Sequence, residues 1–181
     1  MKKLYLVIIL SICFSFIGCT ESVTKESEKS QINEVSNSQI ENIEDTKEYM
    51  FNNALEKGNM IVKTTFDGEK ESNKVYNKSS MDQFIDNIEK RKKSDISIVQ
   101  YLDQDGNLSI NKLYKLMYDG DEVIVNYYDV ITDKKNFELK DTVKYKKLNA
   151  EVVGENLKYL FTDENGNEVK LISFSKNDII N

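Results

Sequence analysis

The chain has no histidine, no proline and no tryptophan among its 181 residues, only two cysteines, Cys13 and Cys19, and a single arginine, Arg91. Without histidine, the Ser–His–Asp and Cys–His nucleophile systems are excluded in their usual forms. Tight zinc and copper sites lose their imidazole ligands, and no cysteine follows Cys19 to replace them. Arginine is the side chain that grips phosphate in bidentate fashion. One arginine in a chain of formal charge −6 argues against a nucleic-acid partner, which calls for a concentrated basic face. What remains for chemistry is carboxylates, lysines, tyrosines and hydroxyls, and no spacing singles out a carboxylate pair. No cofactor is expected. The abundance of Lys, Asn and Ile reads as the codon usage of an AT-rich genome rather than as a mark of function.

What is present begins at the N-terminus. Lys2 and Lys3 precede an apolar run over residues 4–17, and Gly18-Cys19 follows it. A positive start, a short hydrophobic core and a small residue before the cut form the layout of an export signal. The run of about fourteen residues is too short for a bilayer span, which takes roughly twenty. Phe16-Ile17-Gly18-Cys19 resembles the lipobox of bacterial lipoproteins, with Phe16 in place of the usual Leu. The resemblance implies that Cys19 receives a diacylglycerol, that residues 1–18 are removed, and that membrane lipid becomes a partner through the acylated Cys19. Cys13 is a poorer candidate, because Ile12 before it is too large for a signal peptidase pocket. An ordinary cleaved secretory signal is the competing reading. Loss of Lys2 and Lys3 takes the formal charge to −8.

Residues 19–45 are rich in Ser, Glu, Asn, Lys and Thr, with Val23, Ile32, Val35, Ile40 and Ile43 scattered among them. Such a stretch buries too little apolar surface to offset the ordering of its backbone, and reads as a disordered tether. As a flexible coil it would hold the domain roughly 25–30 Å from Cys19. Residues 46–181 are the right size for one domain with one core.

Within that domain a helix is expected over 45–57, where Tyr49, Met50, Ala54 and Leu55 lie near helical spacing and Gly58 supplies a stop. A strand over 60–66 ends at Asp67-Gly68. Met81, Phe84, Ile85 and Ile88 then occupy one face of a second helix. Ser80 with Gln83 has capping-box spacing, and Lys90, Arg91, Lys92 and Lys93 suit the negative end of the helix dipole. The period next switches to two. Strands are expected over 96–101, 108–118, 122–129, 142–148, 157–162 and 169–174, with Asp119-Gly120 and Asn165-Gly166 as hairpin turns. Two helices followed by hairpin-linked strands give an α+β fold: an antiparallel sheet of about six strands, with both helices packed on one face.

Several short motifs add a resemblance. Lys57-Gly58-Asn59-Met60-Ile61-Val62, Asn77 through Phe84 with Asn87, Ile96-Ser97-Ile98-Val99-Gln100-Tyr101, Tyr118-Asp119-Gly120, and Asp129 and Asp133 flanking Thr132 occur in that order. The chain resembles a family of small lipid-anchored proteins of Gram-positive bacteria, defined only as a domain of unknown function. Later strands of that family often carry two cysteines, which are missing here. The family has no established activity, so no functional residue carries across.

Three constellations have both a functional and a plain reading. Asp103, Asp105 and Asn107, like Asp163, Asn165 and Asn167, invite calcium, but Gly106 and Gly166 come too early for an EF-hand loop, and no Glu follows at its spacing. Asp, Asn and Gly are also what β-turns select. Tyr101, Tyr114, Tyr118, Tyr127, Tyr128, Tyr145 and Tyr159 are either a stacking surface for sugars or peptides or favoured strand residues covering a half-buried sheet. Asp129 and Asp133 follow a strand and suit a cation or an acid/base pair, or serve as turn residues.

The expected function is a non-enzymatic binding or interaction domain on the outer face of the cytoplasmic membrane, with a protein or cell-wall partner. The alternatives are a carboxylate-dependent cell-wall hydrolase and a lipid-anchored inhibitor or immunity-type protein.

Overall fold

The computed structural model describes Ile43 and residues 45–131 and 136–180, all within one compact unit, Ser38–Asn181. The expected export signal, Cys19, most of the expected tether and Asp133 lie outside the described residues. No described helix is long and apolar enough to cross a membrane.

A single turn of 3₁₀-helix, Lys47–Tyr49, precedes helix α1, Phe51–Glu56. The expected continuous helix breaks at Met50, whose extended backbone leaves its side chain 60 % exposed. Strands β1, Met60–Asp67, and β2, Lys70–Tyr76, form a hairpin that leads to helix α2, Lys78–Glu89. Strands β3, Ser94–Gln104, β4, Asn107–Tyr118, β5, Val123–Ile131, and β6, Asn136–Tyr145, complete a six-stranded sheet in the order β2-β1-β3-β4-β5-β6. Strands β7, Lys147–Val153, β8, Asn156–Thr162, and β9, Glu168–Ser175, form a separate antiparallel sheet of three.

The α+β class stands, with three differences in its interior. The large sheet is mixed, because β1 and β3 pair in parallel, Met60 opposite Ile98. The last three strands leave it to make the second sheet. The two helices also pack on opposite faces. Met81 and Phe84 of α2 join Met60, Ile98, Leu116 and Val125 in one cluster, which Tyr159, Phe161 and Phe174 of the small sheet complete. Tyr49 and Ala54 pack with Ile61, Val99, Leu113 and Phe137 on the other side. Central strands β1 and β3 are therefore apolar on both faces, as strands covered twice must be.

Ile43, assigned above to the tether, exchanges two backbone hydrogen bonds of 3.0 Å with Phe137 and packs on the second cluster. The ordered domain therefore begins earlier than residue 46. Deleting residues 20–42 is expected to leave the melting temperature unchanged. Ile43→Ser should lower it by about 2–5 °C, from a loss of about 1 kcal/mol of apolar burial. Calorimetry of the two variants checks this, and equal melting temperatures would show that the bridge carries no stability.

Candidate functional site

Both helices end in the same device, and the two endings face one groove. At α1, the Asn59 N–H donates to Ala54 (3.0 Å) and the Gly58 N–H to Leu55 (3.1 Å), with Gly58 at φ +75°. At α2, the Lys92 N–H donates to Asn87 (2.8 Å) and the Arg91 N–H to Ile88 (3.0 Å), with Arg91 at φ 53°. These are Schellman closures, whose left-handed residue is ordinarily glycine. The chain's one arginine occupies that position in α2. As a result the helix stops at Glu89, and Lys92 and Lys93 are not part of its last turn, as the sequence suggested, but swing toward the start of β3.

Asn77 ties the walls together. It precedes α2 in the left-handed conformation, φ 54°, and its side-chain amide donates to the carbonyls of Leu55 (2.9 Å) and Asn59 (3.0 Å), on either side of Gly58. Helix α2 starts at Lys78, so Ser80 and Gln83 lie inside it and do not form the expected capping box. Ser80, Gln83 and Asn87 recur at helical spacing along the edge of α2 that borders the groove, beside the buried Met81 and Phe84. Asn77→Ala is expected to cost about 2–3 kcal/mol, from two lost hydrogen bonds and the strain of a left-handed Cβ-bearing residue. Asn77→Gly should recover about 1 kcal/mol of this by relieving the strain. Urea unfolding of both variants tests the pair; equal stabilities would show that the backbone conformation contributes nothing.

The groove between these elements has a volume of about 420 Å³, and Phe84 and Ile96 supply its apolar part. Lys57, Lys92 and Lys93 line it against one carboxylate, Asp95. Lys57 is held by Glu48 at 2.7 Å, and that hydrogen bond keeps the Glu48 carboxyl below its ordinary range. The Lys93 side chain lies beside Gly120 of the β4–β5 turn, where its charge acts on the Asp119 carboxylate, and Lys92 has no ion pair among the described residues. The side chains of Asn59, Ser80, Gln83 and Asn87 likewise form no hydrogen bond with a described protein group. Ser94 lies on the face of β3 that carries Ile96 and Ile98, and its hydroxyl oxygen is buried without a partner. Buried polar atoms are ordinarily satisfied, so the Ser94 hydroxyl is where a ligand in the hollow would complete a missing pairing, with the more exposed amides and Ser80 bordering it.

The residues singled out in the sequence are used elsewhere. Asp129 is an exposed residue of β5 whose carboxylate lies 3.7 Å from Lys140, which also holds Glu138 at 3.1 Å. Asp133, its expected companion, is outside the described residues. Asp103 lies within β3 and pairs with Lys63 at 2.6 Å, while Asp105 and Gly106, both at positive φ, make the hairpin turn. Asp163 accepts from the side-chain amide of Asn167 and from the backbone N–H groups of Asn165 and Asn167, which holds its carboxyl below the usual range. These are turn residues in service as such. Among the described residues, no group of three or more Cys, Asp or Glu converges.

The tyrosines fill the core. Tyr101, Tyr118, Tyr128, Tyr145 and Tyr159 are buried, Tyr145 stacks on Phe161 with centroids 4.3 Å apart, and Tyr114 meets Tyr127 edge to face at 5.5 Å. Burial pushes the hydroxyls of Tyr101, Tyr127 and Tyr159 above the ordinary phenol range.

No protein-family model matches the chain, and neither a curated protein nor a solved structure does. The groove is left to speak for function on its own chemistry.

Proposed function

We propose that the protein is a membrane-anchored extracytoplasmic lipoprotein whose domain is a non-enzymatic binding module, with the groove as its ligand site. Gly18-Cys19 at the end of the apolar run supports the anchor and a position on the outer face of the cytoplasmic membrane. The observation that carries the binding reading is the set of uncommitted amides and hydroxyls, on Asn59, Ser80, Gln83, Asn87 and Ser94, around one hollow. They sit on helices and a strand whose ends are fixed by hydrogen bonds, which is the pre-organisation that binding rewards. Glycan hydrolysis ordinarily takes two carboxyl groups across the scissile bond. The groove offers Asp95 alone, which favours binding over the hydrolase reading.

A photo-crosslinking residue in place of Gln83, with the same residue at exposed Glu71 on β2 as control, tests this in intact cells. A discrete adduct at Gln83 that is absent at Glu71 is the expected result. Adducts that are the same at both positions, or none at Gln83, would overturn the assignment.

A further inference from the structure

A central strand of the large sheet has an open edge in the groove. Strand β4 runs along the whole of one side of β3, from Ser94 opposite Tyr118. On the other side β1 begins only at Met60, opposite Ile98. Residues 94–97 therefore line the groove with no strand paired to them on that side. Successive residues of a strand turn their N–H and C=O groups to alternate sides, so two of these four residues present both groups to the hollow. Among the described residues, no turn, loop or side-chain hydrogen bond reaches the backbone there. We infer that the groove takes an extended peptide segment of a partner protein, which adds to this edge in line with β1. The conclusion rests on the groove being the binding site proposed above.

The chain enters β1 from the end of α1 through the left-handed turn at Gly58, and not along β3, which is why the edge stays open. Four residues at about 3.3 Å each give roughly 13 Å of edge. A strand laid there would alternate its side chains between the two faces of the sheet. On one face stand Ser80, Gln83 and Asn87 of α2, with the unpartnered hydroxyl of Ser94 on the same side. A side-chain amide carries the same kinds of donor and acceptor as a peptide unit, so this wall pairs with main chain and polar side chains alike. In strand addition, main-chain bonds supply affinity and the flanking walls select side chains. The outer strands β2 and β6 have open edges too, as the rim of any open sheet does. The stretch over 94–97 differs in lying inside the sheet, in a hollow whose wall already holds uncommitted amides.

NMR shifts and amide hydrogen exchange of the full chain in neutral detergent test this. In the free protein, two of the amides of residues 94–97 should exchange rapidly and the two paired with β4 slowly. The probe is the neutral peptide acetyl-Ser-Thr-Val-Thr-Ser-amide. Its comparisons are an analogue methylated on every residue nitrogen, which has lost those donors, and a neutral N-acetylglucosamine oligomer. At ten times its dissociation constant the peptide should slow the two rapid amides about tenfold. It should also shift the resonances of residues 94–97, and the methylated analogue should do neither. Asn87→Trp should weaken binding at least about tenfold. Gln83→Ala, at an exposed position that leaves the fold intact, should weaken it about threefold.

Equal effects from the methylated analogue, equal binding by both variants, or equal protection along Lys70–Lys74 of β2 would overturn the inference. If the oligosaccharide moves these resonances and the peptide does not, the groove remains a binding site and strand addition fails. If neither moves them, both fail. Four slow amides in the free chain would show that the edge is already closed, and the partner peptide would be ruled out. Release of two of them on deleting residues 20–42 would then identify the chain's own N-terminal segment as the occupant.

Discussion

Phe84→Ala is expected to destabilise the domain by about 3–5 kcal/mol, the usual cost of emptying a buried phenylalanine site. Phe84 is 2 % exposed and sits where α2 meets β1, β3 and the small sheet, so neither face of the cavity can collapse without moving a strand. Small domains hold roughly 5–15 kcal/mol in total, so the loss is a large share of it. In urea the midpoint should fall by roughly 1–3 M at unchanged slope. Phe84→Leu, which keeps most of the volume, should cost less than about 1.5 kcal/mol. An alanine variant with the wild-type midpoint would mean that this face of α2 is not packed as described.

The second large effect is at the other end of the chain. Cys19→Ala should abolish lipid attachment, leaving either an unprocessed precursor or a domain released to the medium. Two acyl chains hold a protein on a bilayer far more firmly than one, so their loss is not a matter of degree. Fractionation with intact-mass analysis reads the result. A variant recovered from membranes at the same processed, lipid-bearing mass as the wild type would contradict acylation at Cys19.

Much of the fold was legible because local signals agreed with the tertiary outcome. The 3–4 spacing of Met81, Phe84, Ile85 and Ile88 marked α2, and glycine-containing turns marked the β3–β4, β4–β5 and β8–β9 hairpins. Strand β2 left no trace in the pattern. It is an edge strand whose sequence, Lys-Glu-Ser-Asn-Lys-Val-Tyr, buries only Val75, so it does not alternate. The strand expected over 142–148 straddles the end of β6 and the start of β7, because the chain passes from sheet to sheet at Lys146 with no glycine, asparagine or proline to mark the corner. The parallel pairing of β1 and β3 was also illegible, since turn residues report hairpins and not the partner reached across a helix. Met60-Ile61-Val62 is apolar at consecutive positions and buried throughout, which implies cover on both faces and separates the two helices.

The groove was harder to see than the fold. Its residues come from three places along the chain, and each has an ordinary local meaning: a helix stop at Gly58, a capping box at Ser80 and Gln83, a dipole-compensating cluster at Lys90–Lys93. Only the structure shows that Asn77 draws the first of these onto the second, and that Arg91 swings Lys92 and Lys93 toward both. Asp129 and Asp133 form a familiar paired-acid pattern, yet the strand register sets Asp129 opposite Glu138, with Lys140 on the same neighbouring strand reaching both carboxylates.

The most direct test of a lipid-anchored domain that binds through this groove is native mass spectrometry of the protein extracted gently from its own membranes. The wild type should begin at Cys19, carry a diacylglyceryl group and retain a small non-covalent ligand. Asn87→Trp, which fills the groove, should keep the lipid and lose the ligand. A chain that begins elsewhere without lipid, or a ligand retained equally by Asn87→Trp, would contradict it.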